Sequence, residues 1–468
     1  MARPARFSSV SALPGAALLL LTFGFPLPPA ASAMEAVDFH QAVARTLMNN
    51  AFVSAAGEEA VAARRDADVA RGYLLPSVRF DEKFARTNVP GEAFALKMNQ
   101  EKLLASDFLD VRNFNRPPPR NDFVATLSVE QPLFAPKAYI GYGMAKTEAA
   151  AKGLDLFRRK EEAVYRVLAS VLDVVTARQF VEVAGQGLSD AREHLRIAEN
   201  LEAAGMGLAS DVLRAKVAVA SAEGAKVTAE NRLELARRGL ALAMGEPGAP
   251  PVDVIGPPPE FPDPGRTGES ETGALGRADL RASSLRVANA VRYVRFRQSG
   301  YLPDVGLAAA YQVDAEDSPF SPDNRSWKVG VGLTWNLFDG LRREAELGKA
   351  ATELRRARAY HRGMRDQAAF DEAQADLGVK EATIRGEIAR AALASAEEGV
   401  RLLSSRYENR LGRMVDLLDA QTALDGARAA RIRAENDVRL SRAQRLYATG
   451  GLLSFAVPSE ENGKEKIR

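Results

Sequence analysis

Four short stretches of the chain alternate strictly between apolar and polar or glycine positions. Val78, Phe80 and Phe84 alternate with Ser77, Arg79, Asp81 and Lys83. Phe123, Ala125, Leu127 and Val129 alternate with Val124, Thr126, Ser128 and Glu130. Further along, Val305, Leu307, Ala309 and Tyr311 form a third such row, and Trp327, Val329, Val331, Leu333 and Trp335 form a fourth, interleaved with Lys328, Gly330, Gly332, Thr334 and Asn336. A period of two predicts strands with one apolar and one polar face. The fourth, bounded by a tryptophan near each end, has the pattern of a membrane β-strand with an aromatic girdle. Everything between reads as helix: 137–205 and 340–409 contain no proline and are rich in Ala, Leu, Glu and Arg. Returning helices are predicted over 211–244 and 416–447, and shorter ones over 38–73 and 277–300. A short helix stacked end to end on a returning helix has about the length of one long helix, so each chain should supply four rods.

These elements repeat. Leu75-Pro76-Ser77-Val78 recurs as Leu302-Pro303-Asp304-Val305, Leu133-Phe134 as Leu337-Phe338, and the segment from Gly207 to Leu213 as that from Gly412 to Leu418. The separation from Phe134 to Asp211 is 77 residues and that from Phe338 to Asp416 is 78. An internal duplication follows. It divides the chain into a first repeat over 34–245, a Pro-rich linker over 246–275 that we read as unfolded, and a second repeat over 276–450. Residues 451–468 read as a disordered tail.

Composition narrows the function. With no cysteine and only three histidines, His40, His194 and His361, scattered along the chain, the sequence offers no thiolate chemistry and no evident metal centre. No nucleophile, base or metal set converges, so an enzyme is not expected and no cofactor is implied. Residues 1–33 read as an export signal: Arg3 and Arg6, an apolar run from Ala16 to Phe25, then Ala31-Ser32-Ala33. Its removal leaves 61 basic and 61 acidic residues, and zero net charge argues against a nucleic-acid partner. Beyond the signal there is no run of about 18 apolar residues, so no transmembrane helix is expected.

Four strands are too few to close a transmembrane barrel, because known barrels begin at about eight. An open edge in lipid costs several kcal/mol per unpaired group. The chain must therefore oligomerise: two copies would just reach about eight strands, and three give about twelve together with twelve helical rods.

The order of export signal, helix, Leu-Pro-x-Val, strand pair, long helix and Gly-x-x-x-Asp, all duplicated, resembles the TolC-type outer membrane efflux proteins. The most specific parts are Asn336-Leu337-Phe338-Asp339-Gly340 and Asp416-Leu417-Leu418-Asp419-Ala420-Gln421. The resemblance implies a mainly α protein with a transmembrane β-barrel part. This would be a homotrimer whose 12-stranded barrel continues into a 12-helix periplasmic α-barrel, docked to a periplasmic adaptor and an inner-membrane pump. It would sit in the outer-membrane lipid of a Gram-negative bacterium as the exit duct of a tripartite efflux or type I secretion system. A lipid-modified N-terminal cysteine, present in many relatives, is absent here. The competing class is a periplasmic helical-hairpin scaffold without a pore, which explains the rods but not the strands ending near Trp327 and Trp335.

Candidate mechanistic residues lie at the helix reversals. Asp416 and Asp419, three apart, share a helix face and in a trimer would form two stacked carboxylate rings at a constriction. By resemblance, Ser210 and Asp211 of the first hairpin bond to Tyr407 and Arg413 of the second as a tip latch. Gly207, Leu208, Ala209, Leu411 and Gly412 resemble the turns that meet the adaptor. Finally, the hairpin loop over 86–121 is long, carries a possible short helix over 94–109, and reads as an external loop that covers the pore mouth or forms a contact surface.

Overall fold

The computed structural model describes residues 35–262, 276–319, 321 and 324–457. The export signal and the last residues of the tail lie outside them. A short strand β1 (Glu35–Val37) leads into helices α1 (Phe39–Asn49) and α2 (Ala51–Gly72). They are followed by strand β2 (Ser77–Thr87), helices α3 (Pro90–Asn99) and α4 (Arg112–Asn115), and strand β3 (Arg120–Phe134). The first hairpin is α5 (Pro136–Ala203) and α6 (Ala209–Ala243). After strand β4 (Val252–Val254) come helix α7 (Ala278–Gln298) and strands β5 (Asp304–Ala315) and β6 (Asn324–Thr334). The second hairpin is α8 (Arg342–Glu408) and α9 (Met414–Thr449), and a short α10 (Leu452–Ala456) ends the described chain. The predicted 38–73 helix is thus two helices. The Asn50 side chain accepts from the amides of Phe52 and Val53 and restarts the chain as an N-cap.

The four long strands form one antiparallel sheet in the order β2-β3-β5-β6, so the repeats join through β3 and β5. Directly opposed residues of antiparallel strands share a face. Phe80, Leu127, Tyr311 and Trp327 form one row across the sheet, and Val78, Val129, Ala309 and Val329 the next. The opposite face carries Arg79, Ser128, Ala310 and Lys328 in one row and Asp81, Thr126, Gln312 and Ser326 in another. The faces sort as the alternation predicts. Trp327, Val329, Val331 and Leu333 are 59–76% exposed, an apolar sheet face left uncovered by the other described residues. Pro132 lies at an irregularity in the β3–β5 register, a position where proline is tolerated. Both outer strands, β2 and β6, have one unpaired edge among the described residues.

Helices α5 and α8 run for 68 and 67 residues, about 100 Å each at 1.5 Å per residue. The shorter helices stack end to end as expected. Asn50 donates to the carbonyl of Ala243 and Asn49 to Glu246, placing the end of α6 on the start of α2. Gly450 lies against Arg277, placing the end of α9 on the start of α7.

The main core sits where these stacks meet. Val164, Val167, Leu168 and Val171 of α5 are at most 1% exposed and pack with Val43, Leu240, Met244 and Ala443. Part of the region read as an unfolded linker belongs to this core. β4 pairs in parallel with β1, Val252, Val254 and Phe261 are buried in it, and Asp253 holds both Arg178 and Arg237. The rest of the linker lies outside the described residues. The segment read as tail is likewise folded in its first part, because Leu452, Leu453 and Ala456 of α10 close the same core. Both corrections have one cause: segments of three to five residues, too short for periodicity to show, cover apolar surface that the helices leave open.

A buried ionic network borders this core. Glu161 is fully buried against Arg158 at 2.9 Å, Arg158 lies 3.7 Å from the Tyr447 ring centre, and Asp279 is 3.9 Å from Arg158. Burial pushes the Glu161 carboxyl above the ordinary range despite Arg158. The contribution of a raised acid to stability is fully present below its unfolded value, about 4.3, and is lost as pH rises through the folded value. Glu161→Gln therefore gains stability relative to wild type as pH rises from the acid to the neutral range, which urea titrations at both ends of the range measure.

Candidate functional site: the hairpin tip

The two reversals that end the long helices have the same backbone. After α5 the amide of Met206 bonds to the carbonyl of Leu201 and that of Gly205 to Glu202; after α8, Leu411 bonds to Arg406 and Arg410 to Tyr407. This is the Schellman closure, which needs a left-handed residue at its centre. Gly205 supplies it at φ +68°, and in the second repeat the non-glycine Arg410 holds φ +65°. Gly207 is required for a different reason: a Cβ there would stand 2.8 Å from the Glu202 nitrogen and 3.0 Å from Leu201. At Gly412 the corresponding contacts are 3.4 Å. Gly207→Ala is accordingly expected to cost ~1–3 kcal/mol by overpacking and Gly412→Ala less. Faster hydrogen exchange of the first turn relative to the second is the measurement.

A small core unites the hairpins just above the turns. Ala198, Val212, Ala215, Tyr407, Met414 and Leu417 are buried together, with Leu201 and Leu403 packed against them. Tyr407 is 5% exposed, and burial together with the nearby Asp211 charge holds its hydroxyl proton on above the ordinary range. The Asp211 charge acts on Tyr407 across the hairpins, but among the described residues no hydrogen bond joins the two. Arg413 does not reach across. Its guanidinium grips Asp416 of its own hairpin in a two-pronged contact of 2.8 and 3.2 Å, which keeps that carboxyl below the usual range. The reason is local: Arg413 directly precedes α9, three residues from Asp416, so the pair closes on one helix turn without any help from the first hairpin. Ser210 is exposed, as is Asp419. Asp419 sits one turn further along α9 and is the carboxylate of the pair that Arg413 does not grip.

The turn residues point an apolar surface outward. Leu208 is 66% exposed, Leu411 71% and Met206 48%, with Ala209 exposed beside them. The three histidines lie apart: His40 against the Ala456 carbonyl, His361 against Ser283 at 2.7 Å, and His194 against Gln421 at 3.4 Å.

Sequence reading missed the polar network above the tip. Gln421 donates to Asp190 at 3.0 Å and to Asp425 at 3.1 Å, and Arg428 reaches Asp190 at 3.2 Å. His194 and Gln421 are each 6% exposed, so the network is a partly buried clasp between α5 and α9. Its only sequence signals are the four-residue spacings of Asp190 with His194 and of Gln421 with Asp425. Neither spacing shows that the two helices meet.

Comparison with known proteins gives consistent matches. The family described as outer membrane efflux protein matches residues 42–246 and 274–451. Protein CyaE of Bordetella pertussis is 27% identical over 323 residues, 65% of either chain. The outer membrane efflux protein BepC of Brucella suis is 25% identical over 323 residues, 65% of this chain and 67% of that one. The chain thus spans about two thirds of the length of these relatives. The crystal structure of the outer membrane protein VceC from Vibrio cholerae shares the fold with a TM-score of 0.73 at 20% identity, over 88% of this chain and 96% of that one.

Proposed function

Because this chain belongs to the outer membrane efflux protein family, we propose that it is the outer-membrane exit duct of a tripartite efflux or type I secretion system. In this reading it carries small molecules or polypeptides from an inner-membrane pump across the periplasm. The observation that carries the reading is the sheet itself. Four strands expose an apolar face and end in two unpaired edges, on a chain whose helices extend far beyond any core of their own. Closing β6 of one copy on β2 of the next removes every open edge, and three copies give about twelve strands. The apolar face then meets lipid, with Trp327 and Trp335 at its two borders, and the polar face lines the lumen.

At the far end the same threefold closure brings the α9 helices around the axis. Asp416 and Asp419 form the constriction, with Asp416 partly neutralised by Arg413 and Asp419 as the bare carboxylate ring. Tyr407, Asp211 and Ser210 act as the latch within a protomer, while Arg413 acts on the ring. The exposed turns Gly207, Leu208, Ala209, Leu411 and Gly412 offer the apolar contact surface for a periplasmic adaptor. The purified protein is expected to run in detergent as a trimer recovered from the outer-membrane fraction. A monomer in the periplasmic fraction would instead support the scaffold reading.

A further inference from the structure

We propose that the segment between β2 and β3 is a lid folded into the lumen at the outer mouth of the barrel, forming a second closure at the end opposite the helix tip. The inference rests on the channel reading, which makes the polar face of the sheet the lumen.

The strand ends nearest Ser77, Phe134, Asp304 and Thr334 adjoin the helices, so the ends at Thr87, Arg120, Ala315 and Asn324 are the outer ones. On the polar face, exposure changes between these ends. On the inner strands Ser128 and Ala310 in mid-strand are half-buried, whereas Asp122 and Asp314 on the same face are 3% and 2% exposed. The register opposes Val124 to Asp314 and Phe123 to Ala315, so Asp122 and Asp314 belong to the face of Arg79 and Lys328 and not to that of Trp327. Ala315, of the opposite parity, is 1% exposed as well, so burial alone does not choose the face; the polar contacts do. Gln100, 2% exposed, donates to the Asp122 carboxylate at 3.0 Å and to the Asn121 carbonyl at 2.9 Å. Lys102 pairs with Glu316 at 2.9 Å, and Arg120 braces the same carboxylate at 3.3 Å. Asn324 donates to the Asn99 carbonyl. Asp122 and Asn324, which the segment contacts directly, both have lumen parity, so these tethers run to one face.

The segment has an interior of its own that keeps it in one shape. Phe94, Phe108 and Phe114 pack with ring centres 5.2–6.1 Å apart, and Lys97 is paired with Asp107. The predicted helix over 94–109 is replaced by α3, a 3-10 turn at Ala105–Phe108 and α4, which bend the chain back on itself. An eight-stranded barrel is filled by its side chains and barrels of about 16 strands hold an open aqueous channel. Three such lids in a lumen of about twelve strands would therefore narrow it substantially.

The absence of cysteine permits a direct test. Ser128→Cys places one thiol on the lumen face in mid-strand, and Val129→Cys places one on the lipid face. Intact cells are treated from outside with a small membrane-impermeant maleimide and, separately, with the same maleimide on a bulky polymer. The small reagent is expected to reach Ser128→Cys and the bulky one to react slowly. Replacing residues 90–115 by a short Gly-Ser link speeds the bulky reaction about tenfold, and Lys102→Glu, which leaves the segment in place but repels Glu316, gives an intermediate rate. Equal bulky-reagent rates in all three proteins would overturn the lid. Failure of the small reagent at Ser128→Cys, or equal labelling at Val129→Cys, would overturn the lumen reading itself.

Discussion

On the proposed channel reading, replacing Asp416 and Asp419 together by alanine is expected to turn a cation-selective pore into an anion-selective one. In each protomer Arg413, Asp416 and Asp419 carry one positive and two negative charges over the N-cap and first two turns of α9. In a trimer these three residues contribute about −3, and in the double variant about +3, at a constriction too narrow for salt to screen fully. The single variants separate the roles. Asp419→Ala removes the bare carboxylate and lowers cation preference, whereas Asp416→Ala releases the Arg413 guanidinium and moves selectivity further toward anions than its charge alone suggests. Reversal potentials across a salt gradient read all three. Unchanged selectivity in the double variant would mean that these carboxylates face away from the pathway and serve only to complement the helix dipole.

A cation on the apolar sheet face should be more damaging than a change at the adjacent residue, about 3.3 Å along the strand but on the opposite side of the pleat. Val329 lies in mid-strand in β6, beside Ala309 of β5, and is 59% exposed in the isolated chain. Val329→Arg would place a guanidinium in the hydrocarbon at a cost of ~2–4 kcal/mol per protomer near the bilayer midplane. The three copies of a trimer add these costs, so the variant should lose its detergent-resistant oligomer or fail to assemble. Lys328→Ala, one residue earlier and facing the other way, should assemble normally. Thermal stability of the oligomer in detergent measures both, and equal stability of the two variants would deny that this face meets lipid.

The parts of this architecture that the sequence displays are those that repeat a period over many residues. The apolar rows ending in Trp327 and in Phe80 alternate because one side of a strand meets a different medium from the other. The long rods are visible because nothing in 137–205 or 340–409 interrupts a helix. The reversals were legible from glycines whose positions the backbone demands, Gly205 for its φ and Gly207 for its close approach. The second reversal is legible from Gly412, yet the residue that holds the left-handed φ there is the non-glycine Arg410.

What was illegible has no period. β1 and β4 are three residues each and α10 five, so their burial depends on which surfaces the long helices leave uncovered. Arg413 illustrates a second limit. Resemblance pointed it across to the other hairpin, but a carboxylate one turn away on its own helix is a partner that costs less chain ordering to reach. The lid and the clasp at Asp190, His194 and Gln421 illustrate a third, since both are contacts between segments more than 20 and 220 residues apart. Spacing within one helix cannot report such contacts.

Single-channel recording of the purified protein in a planar bilayer, with its mass in the same detergent, tests the central claim most directly. The account predicts a trimer that forms a small, cation-selective conductance. A monomer that leaves the bilayer silent would contradict it, because the uncovered sheet face and the open edges of β2 and β6 would then have to be satisfied by something other than lipid and further copies of this chain.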